Sequence, residues 1–390
     1  MEPIDRDKLS EPEGDGGGTV SSGADGASCG TDARPIRVLV VDNSVVSVKL
    51  LVHVLEGDAR LRVVGTARDG AEALAFLHHN VVDIVTMDID MPGMDGIEAT
   101  RRIMAEVPTP VVIVSGHLDP SMAAASFRAV DIGALAVLPK PAGPGHPDHA
   151  RTTQRIVRTV RAMAEVKVVR RRGLVEARAS GGAVVPRVRD AVTAGRSSGV
   201  ELVVIGASTG GPSALKEILG RLPPDFSAPI AIVQHISPGF APGLVRWLSD
   251  VTGYRIKLAE DGERLQAGWA YIAPDLVQMG ISASGHVLLR SAPPERGLRP
   301  AVSYLFRSVV ESGLGGVVGV MLTGMGKDGV AELGLMRQGG AVTIAQDEET
   351  SVVFGMPGEA VRIGAAERVL PVERIGEALL QLAARARGAL

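Results

Sequence analysis

The stretch Gly206-Ala207-Ser208-Thr209-Gly210-Gly211 sets a hydroxyl among small residues, directly after the run LVVI and directly before a helix beginning near Pro212. That is a G-x-S-x-G pattern in the strand–turn–helix setting it requires. Small neighbours permit a tight turn that exposes the hydroxyl, while the helix N-terminus supplies amides for a developing oxyanion. The same residues also suit a loop that caps a helix or binds phosphate. A serine is a weak nucleophile without a base. His235 ends the run PIAIVQ, at a strand C-terminus next to a helix start. An orienting acid is expected from a third strand end, and Asp328 follows VVGVML in Leu322-Thr323-Gly324-Met325-Gly326-Lys327-Asp328-Gly329. Three strand ends thus deliver Ser, His and Asp to one sheet edge. Their order differs from that of α/β-hydrolases, in which the acid precedes the histidine. A triad is defined by geometry, so the order excludes that fold but not acyl transfer.

A second constellation lies upstream. Asp42 ends IRVLVV, Asp88 ends VDIVTM, Ser115 ends PVVIV and Lys140 follows ALAVLP. Open α/β sheets place their sites at such strand ends. Carboxylates at neighbouring ends make a hard-oxygen site suited to Mg²⁺. A hydroxyl and an ammonium beside them give a pocket able to neutralise a phosphoryl group on Asp88. Each residue alone is an ordinary cap or turn residue; four in order on successive strands are hard to obtain by chance.

A competing pattern uses the same region. Gly324, Gly326 and Gly329 spell G-x-G-x-x-G after a strand and before a helix, with Asp347 near the end of the next strand. That satisfies a dinucleotide fingerprint, with Asp347 on a ribose, but leaves Ser208 and His235 unexplained. His146-Pro147-Asp148-His149 suggests a metal pair, yet the proline breaks helical spacing and loop histidines are the plainer reading. His53 and His286 are expected to face solvent or pack locally.

These residues need a scaffold, and the texture supplies one. From Ile36 the apolar runs IRVLVV, RVVGTA, VDIVTM, PVVIVSG and ALAVLP recur at roughly 25-residue intervals, the spacing of βα units. Continuous Val/Ile, rather than alternation, suits parallel strands covered on both faces. Helical patterns fall between them at Ser44–Leu55, Gly70–Leu77, Gly96–Ala105 and Ser121–Val130, with a last helix carrying Ile156, Val157, Val160 and Met163 on one face. Strand texture resumes at Glu201 with LVVIGA, PIAIVQ, AYIAP, HVLLR, VVGVML and AVTIAQ. Helices are expected at Pro212–Leu219, Pro242–Val251, Pro300–Glu311, Gly329–Arg337 and Val372–Arg385. The expectation is α/β throughout: two doubly wound parallel-sheet domains, five-stranded over 35–165 and larger, Rossmann-like, over 200–388.

Outside the sheets, residues 1–34 hold seven Gly, four Ser and eight acidic residues with almost nothing to bury, which predicts a disordered tail. Arg151 to Arg196 carries twelve basic residues against three acidic ones. Its part over 166–199 reads as a basic linker, either a solvated tether or a docking segment for an acidic partner. A length of 390 residues fits two to three domains. Aromatics at 3% and a net charge of −3 argue against a nucleic-acid partner. One cysteine, Cys29, excludes an internal disulfide and a Cys-cluster metal site. The longest apolar stretch, Gly313 to Gly326, is too short and Gly-rich to span a bilayer. With an acidic N-terminus lacking a secretory signal, the expected location is cytoplasmic.

DIDMPGMDG (Asp88–Gly96) and LPKP (Leu138–Pro141) closely resemble a response-regulator receiver domain. The resemblance implies that Asp88 is the phosphoacceptor, Ser115 the switch hydroxyl and Lys140 the phosphoryl-contacting lysine. The usual acidic pair is here Asp42-Asn43, so the implied Mg²⁺ ligands are Asp42, Asn43 and Asp88, one of them an amide. The expected switch aromatic is Val137. IGASTGGP (Ile205–Pro212), Gln234-His235, LTGMGKDG (Leu322–Gly329) and AQDEETSVVFGMP (Ala345–Pro357) are similar to the chemotaxis protein-glutamate methylesterase family, the CheB type. That similarity implies Ser208 as nucleophile, His235 as base, Asp328 as its orienting acid, Thr209 positioning the imidazole and the Met325 amide aiding the oxyanion. The implied reactions are hydrolysis of glutamate methyl esters and deamidation of glutamines on methyl-accepting chemoreceptors. A cognate histidine kinase would be the phosphodonor, with Mg²⁺ for receiver phosphorylation and no cofactor for the esterase. Two other classes stay in view: a phospho-gated binding protein with a vestigial esterase site, and a nicotinamide-dinucleotide-binding oxidoreductase.

Overall fold

The computed structural model describes residues 34–116, 120–166 and 200–387. The tail expected over 1–34, apart from Arg34, lies outside the described residues, as do Cys29 and all of the 166–199 segment after Val166.

The first half alternates strictly: β1 (Ile36–Val41), α1 (Val45–Glu56), β2 (Leu61–Ala67), α2 (Gly70–His79), β3 (Ile84–Met87), α3 (Gly96–Glu106), β4 (Val111–Ser115), α4 (Pro120–Asp131), β5 (Ala136–Pro139) and α5 (His149–Ala164). Local chemistry starts the helices where the sequence changes texture. Asp69 caps α2, accepting from the Ala71 and Glu72 amides at 2.8 and 2.9 Å, and Asp95 caps α3 through the Glu98 amide at 2.8 Å. The strands form a parallel sheet in the order β2-β1-β3-β4-β5. The order reverses between β1 and β3, so the crevice that open sheets use for ligands lies where Asp42 and Asp88 emerge.

The second half runs β6 (Leu202–Ala207), α6 (Gly211–Leu219), β7 (Ile230–Gln234), α7 (Ala241–Thr252), β8 (Arg255–Leu258), β9 (Trp269–Ile272), β10 (Gln278–Ile281), β11 (Val287–Arg290), α8 (Val302–Ser312), β12 (Val317–Met321), α9 (Val330–Gln338), β13 (Val342–Gln346), α10 (Met356–Arg362), β14 (Arg368–Leu370) and α11 (Val372–Arg387). Seven of these strands make a parallel sheet in the order β14-β13-β12-β6-β7-β9-β8. All positions of β6, β7 and β12 are buried, as their unbroken Val/Ile runs require between two layers of helices. The HVLLR run is the exception to that architecture. It forms β11, which pairs antiparallel with β10 in a separate hairpin.

The two sheets are not independent. Helix α4 packs on α7, where the Phe127 and Trp247 rings lie 5.7 Å apart and 28° from parallel. Phe127 is buried among the core residues of the second sheet. Asp131, at the end of α4, accepts from Trp247 Nε1 at 2.9 Å and pairs with Lys216 of α6.

Candidate active site

The order β12-β6-β7 makes the three proposed catalytic positions neighbours. Ser208 follows β6, His235 follows β7 and Asp328 lies in the turn after β12. His235 enters that edge with its amide on the Ala207 carbonyl at 2.9 Å, and the Ser208 amide bonds the Thr323 carbonyl at 3.1 Å. Gln234 Nε2 ties the pair together, donating to the Ser208 carbonyl at 2.7 Å and the His235 carbonyl at 3.0 Å. His235 Nε2 meets Asp328 Oδ2 at 2.8 Å, with both side chains nearly sealed from solvent at 7% and 3% exposure. Burial pushes the Asp328 carboxyl up, but bonds from His235, from the Ser303 hydroxyl and from the Val302 amide outweigh it and hold the group below its ordinary value. The acid of this trio is therefore a carboxylate at neutral pH.

Turns of unusual tightness surround the serine. Gly210 takes a left-handed conformation, φ 81°, at the start of α6, which a residue with a Cβ rarely adopts. Gly324 allows close approach: a Cβ there would fall 2.5 Å from Ser208 Cβ. Thr209 is held through its carbonyl, which accepts from Thr323 Oγ1 at 2.9 Å. Met325 stands exposed at 38% in the loop leading to Asp328.

This geometry gives the glycines of the dinucleotide pattern another purpose. Gly324 makes room for Ser208, and Gly329 lies against Val302 with no space for a Cβ. Asp347 is committed within its own turn, accepting from the Thr350 amide at 3.0 Å and hydroxyl at 2.7 Å. The oxidoreductase reading is not supported. The histidines away from the site also take local partners. His149 Nδ1 contacts the Ala142 carbonyl at 2.6 Å, His146 Nδ1 accepts from the Asp148 amide at 3.1 Å and His286 Nδ1 pairs with Ser284 Oγ at 3.0 Å; His53 is exposed. Among the described residues no cluster of three His, Cys, Asp or Glu side chains is arranged for a metal.

At the first sheet's edge, Lys140 Nζ bridges two carboxylates, 2.6 Å from Asp42 Oδ2 and 2.8 Å from Asp88 Oδ2. Burial pushes Asp88 up; Lys140 opposes this and Asp42 adds to it, leaving the carboxyl above its usual value. Burial lowers Lys140, but its bonds to Asp42 and Asp88 prevail and hold it above the usual lysine value. Ser115 is buried at the end of β4, and its carbonyl receives the Lys140 amide at 2.9 Å. Asn43 is exposed beside this pocket. Val137 packs against the cluster that contains Phe127.

Some residues of the site carried no local signal. Arg155 on α5 reaches the His235 carbonyl at 3.5 Å, and burial together with nearby Arg151 lowers its guanidinium to about 10. Val352 and Val353, in the loop before α10, pack against the core around Ile156 and Val160 of α5. Ser303 donates to Asp328, although neither its type nor its spacing marks it.

Comparison with known proteins agrees with this layout. The CheB methylesterase family model matches residues 203–379, and the response regulator receiver domain model matches residues 38–149. The protein-glutamate methylesterase/protein-glutamine glutaminase of Nitrosospira multiformis is 47% identical over 349 residues, spanning 90% of this chain and 97% of its own. The corresponding protein 4 of Geobacter metallireducens is 47% identical over 351 residues, spanning 89% and 99%. The CheB methylesterase catalytic domain of Thermotoga maritima, a crystal structure, is 41% identical and covers 47% of this chain and 99% of its own, with a TM-score of 0.46. Relatives at that identity, matched over nearly their whole length through both halves, place the chain in one family: it belongs to the protein-glutamate methylesterase/protein-glutamine glutaminases.

Proposed function

We propose that this chain is a phosphorylation-gated hydrolase of chemotaxis signalling, which demethylates glutamate methyl esters and deamidates glutamines on chemoreceptors. Residues 35–165 act as the receiver, 166–199 as the linker and 200–388 as the catalytic unit. The observation that carries the reading is the 2.8 Å contact of His235 Nε2 with Asp328 Oδ2, at strand ends on either side of the one that bears Ser208.

With Nε2 engaged by Asp328, the imidazole has Nδ1 left to take the serine proton. In the usual template the two nitrogens are used the other way round. Ser208 Oγ adds to the ester carbonyl as its proton passes to Nδ1, and Asp328 stabilises the imidazolium. The amides at the start of α6, with that of Met325, face the oxyanion. Collapse breaks the carbon–oxygen bond of the ester, and Nδ1 returns the proton to the departing methoxide, which leaves as methanol. Water then attacks the acyl-enzyme by the same proton route, releasing free glutamate and restoring Ser208. A glutamine follows the same path with ammonia as the leaving group. Thr209, beside the nucleophile, limits where the imidazole can settle. These steps are acyl and proton transfers that side chains alone perform, so the esterase half needs no cofactor.

On the receiver side, Asp88 takes a phosphoryl group from a histidine kinase, with Lys140 and Ser115 contacting its oxygens. Asp42 and Asp88 are buried carboxylates sharing one crevice, a donor set that fits a hard divalent cation. With the Asn43 amide oxygen they would hold Mg²⁺, which supplies charge neutralisation during phosphoryl transfer. Without phosphate, α5 and α4 keep a bulky helical substrate from the edge bearing Ser208. Among the described residues no helix is long and apolar enough to cross a membrane. The proposed place of action is the cytoplasm, where kinase and receptor segments meet.

A serine-reactive phosphonate tests the assignment. Treatment of the full chain should inactivate it with one adduct, on the peptide carrying Ser208. Inactivation with Ser208 unmodified would overturn the reading.

A further inference from the structure

Asp328 is held by more than the imidazole. Helix α8 begins at Val302 behind Ala301, whose side chain makes no cap. The cap comes from another part of the chain. Asp328 Oδ2 accepts the Val302 amide at 2.6 Å, while Oδ1 accepts the Ser303 amide at 3.2 Å and the Ser303 hydroxyl. A carboxylate there also meets the positive end of the helix dipole. The start of α8 is itself keyed in place. Val302 fills the space that a Cβ on either Gly206 or Gly329 would need, so it is wedged between the strand leading to Ser208 and the turn carrying Asp328. Ser303 is 2% exposed, which shields its hydroxyl from bulk solvent.

A carboxylate turns about its last carbon–carbon bond unless both oxygens are engaged. The helix start engages both here, with Ser303 supplying two of the three donors. We propose that Ser303 is a positioning residue for ester hydrolysis, turning Asp328 Oδ2 toward His235 and holding it there through the proton transfers. This rests on the Ser208–His235–Asp328 reading above. Other charges near the pair are occupied elsewhere: Arg155 on the His235 carbonyl, Lys327 on Glu359, and Arg296 on the Lys327 carbonyl.

The test uses the full chain with a phosphodonor and a methylated receptor fragment, comparing wild type, Ser303→Ala and Ser208→Ala. Ser303→Ala removes a single atom and leaves the amide donors in place, so the fold is kept. Losing one charge-assisted hydrogen bond should lower kcat about tenfold. KM should not change, because no contact with substrate is lost. The downfield proton resonance of the His235 imidazole N–H should also move, since Asp328 becomes a freer and stronger acceptor. Wild-type kcat, or a lowered kcat with that resonance unmoved, would overturn the proposal. The underlying reading fails separately: it falls if Ser208→Ala still releases methanol. If Ser208→Ala is inactive while Ser303→Ala turns over normally, only the positioning role is wrong.

Discussion

At the scale of single residues, Ser208 as the proposed nucleophile would depend on partners delivered by the strands on either side of its own. Members of such a unit fail together. Ser208→Ala should lower turnover by roughly 10⁴–10⁶-fold, His235→Ala about as much, and the double variant little more. Steady-state methanol release checks this, and losses that multiply in the double variant would show that the two act separately. The shared strand-end placement of these three residues was legible in the sequence, because each closes or follows an apolar run and a parallel sheet gathers its strand ends at one edge. Ser303 was not, since its bond to Asp328 joins helix start to turn through tertiary packing. Position 43 supports a second prediction. An amide offers a dipole where a carboxylate offers a charge, so Asn43→Asp should tighten Mg²⁺ binding by roughly 1–2 kcal/mol in a partly desolvated pocket. The neutral side chain removes a repulsion against the incoming phosphoryl group, which partly offsets the weaker metal hold. Calorimetric Mg²⁺ titration of the two proteins decides it, and equal or weaker affinity in the variant would remove Asn43 from the ligand set.

At the scale of elements, the contact of α4 with α7 is the join between receiver and esterase. Its centre is the buried Phe127 ring on Trp247, edged by Asp131 with Lys216 and Trp247 Nε1. Truncating a buried Phe costs about 3–5 kcal/mol where the site cannot collapse. Under the proposed gating, that loss in Phe127→Ala falls on the closed arrangement. A bias of even ~1.4 kcal/mol toward release changes the open population tenfold, so basal esterase activity should rise about tenfold or more without phosphodonor. Unchanged basal activity in a folded Phe127→Ala protein would separate this contact from gating. Sequence texture reveals elements better than it reveals such joins. The Val/Ile runs marked most strands of both sheets. β10 went unseen because Gln278 and Gly280 interrupt its apolar character; Gln278 is buried there to bond the Ala301 amide at 2.8 Å. β14 has three residues, too few to show a pattern. Phe127 and Trp247 each read as one more apolar helix position until the fold brings them together.

At the scale of the whole molecule, the first half meets the second through α4 and α5, with α5 at the strand-end edge of the larger sheet. Arg155 of α5 reaches the His235 carbonyl, and Val352, beside Gly210, packs toward the α5 core. Under the proposed gating, a receiver so placed would obstruct a helical substrate. Removing the residues before Gly199 should therefore raise basal activity, and a Gly199–Leu390 fragment no faster than the full chain would rule out inhibition by occlusion. The order of receiver before esterase was visible in the sequence, but nothing there disclosed which receiver face would meet the catalytic half.

Methanol release from methylated receptor fragments decides whether phosphorylation at Asp88 releases a serine esterase. Full-length protein, Asp88→Asn and Ser208→Ala are assayed with and without a small-molecule phosphodonor. Gating through Asp88 should give slow release by the full chain, a marked rise with phosphodonor, no such rise in Asp88→Asn, and essentially no release by Ser208→Ala under either condition. Release by Ser208→Ala at a substantial fraction of the wild-type rate, or equal stimulation of wild type and Asp88→Asn, would contradict it.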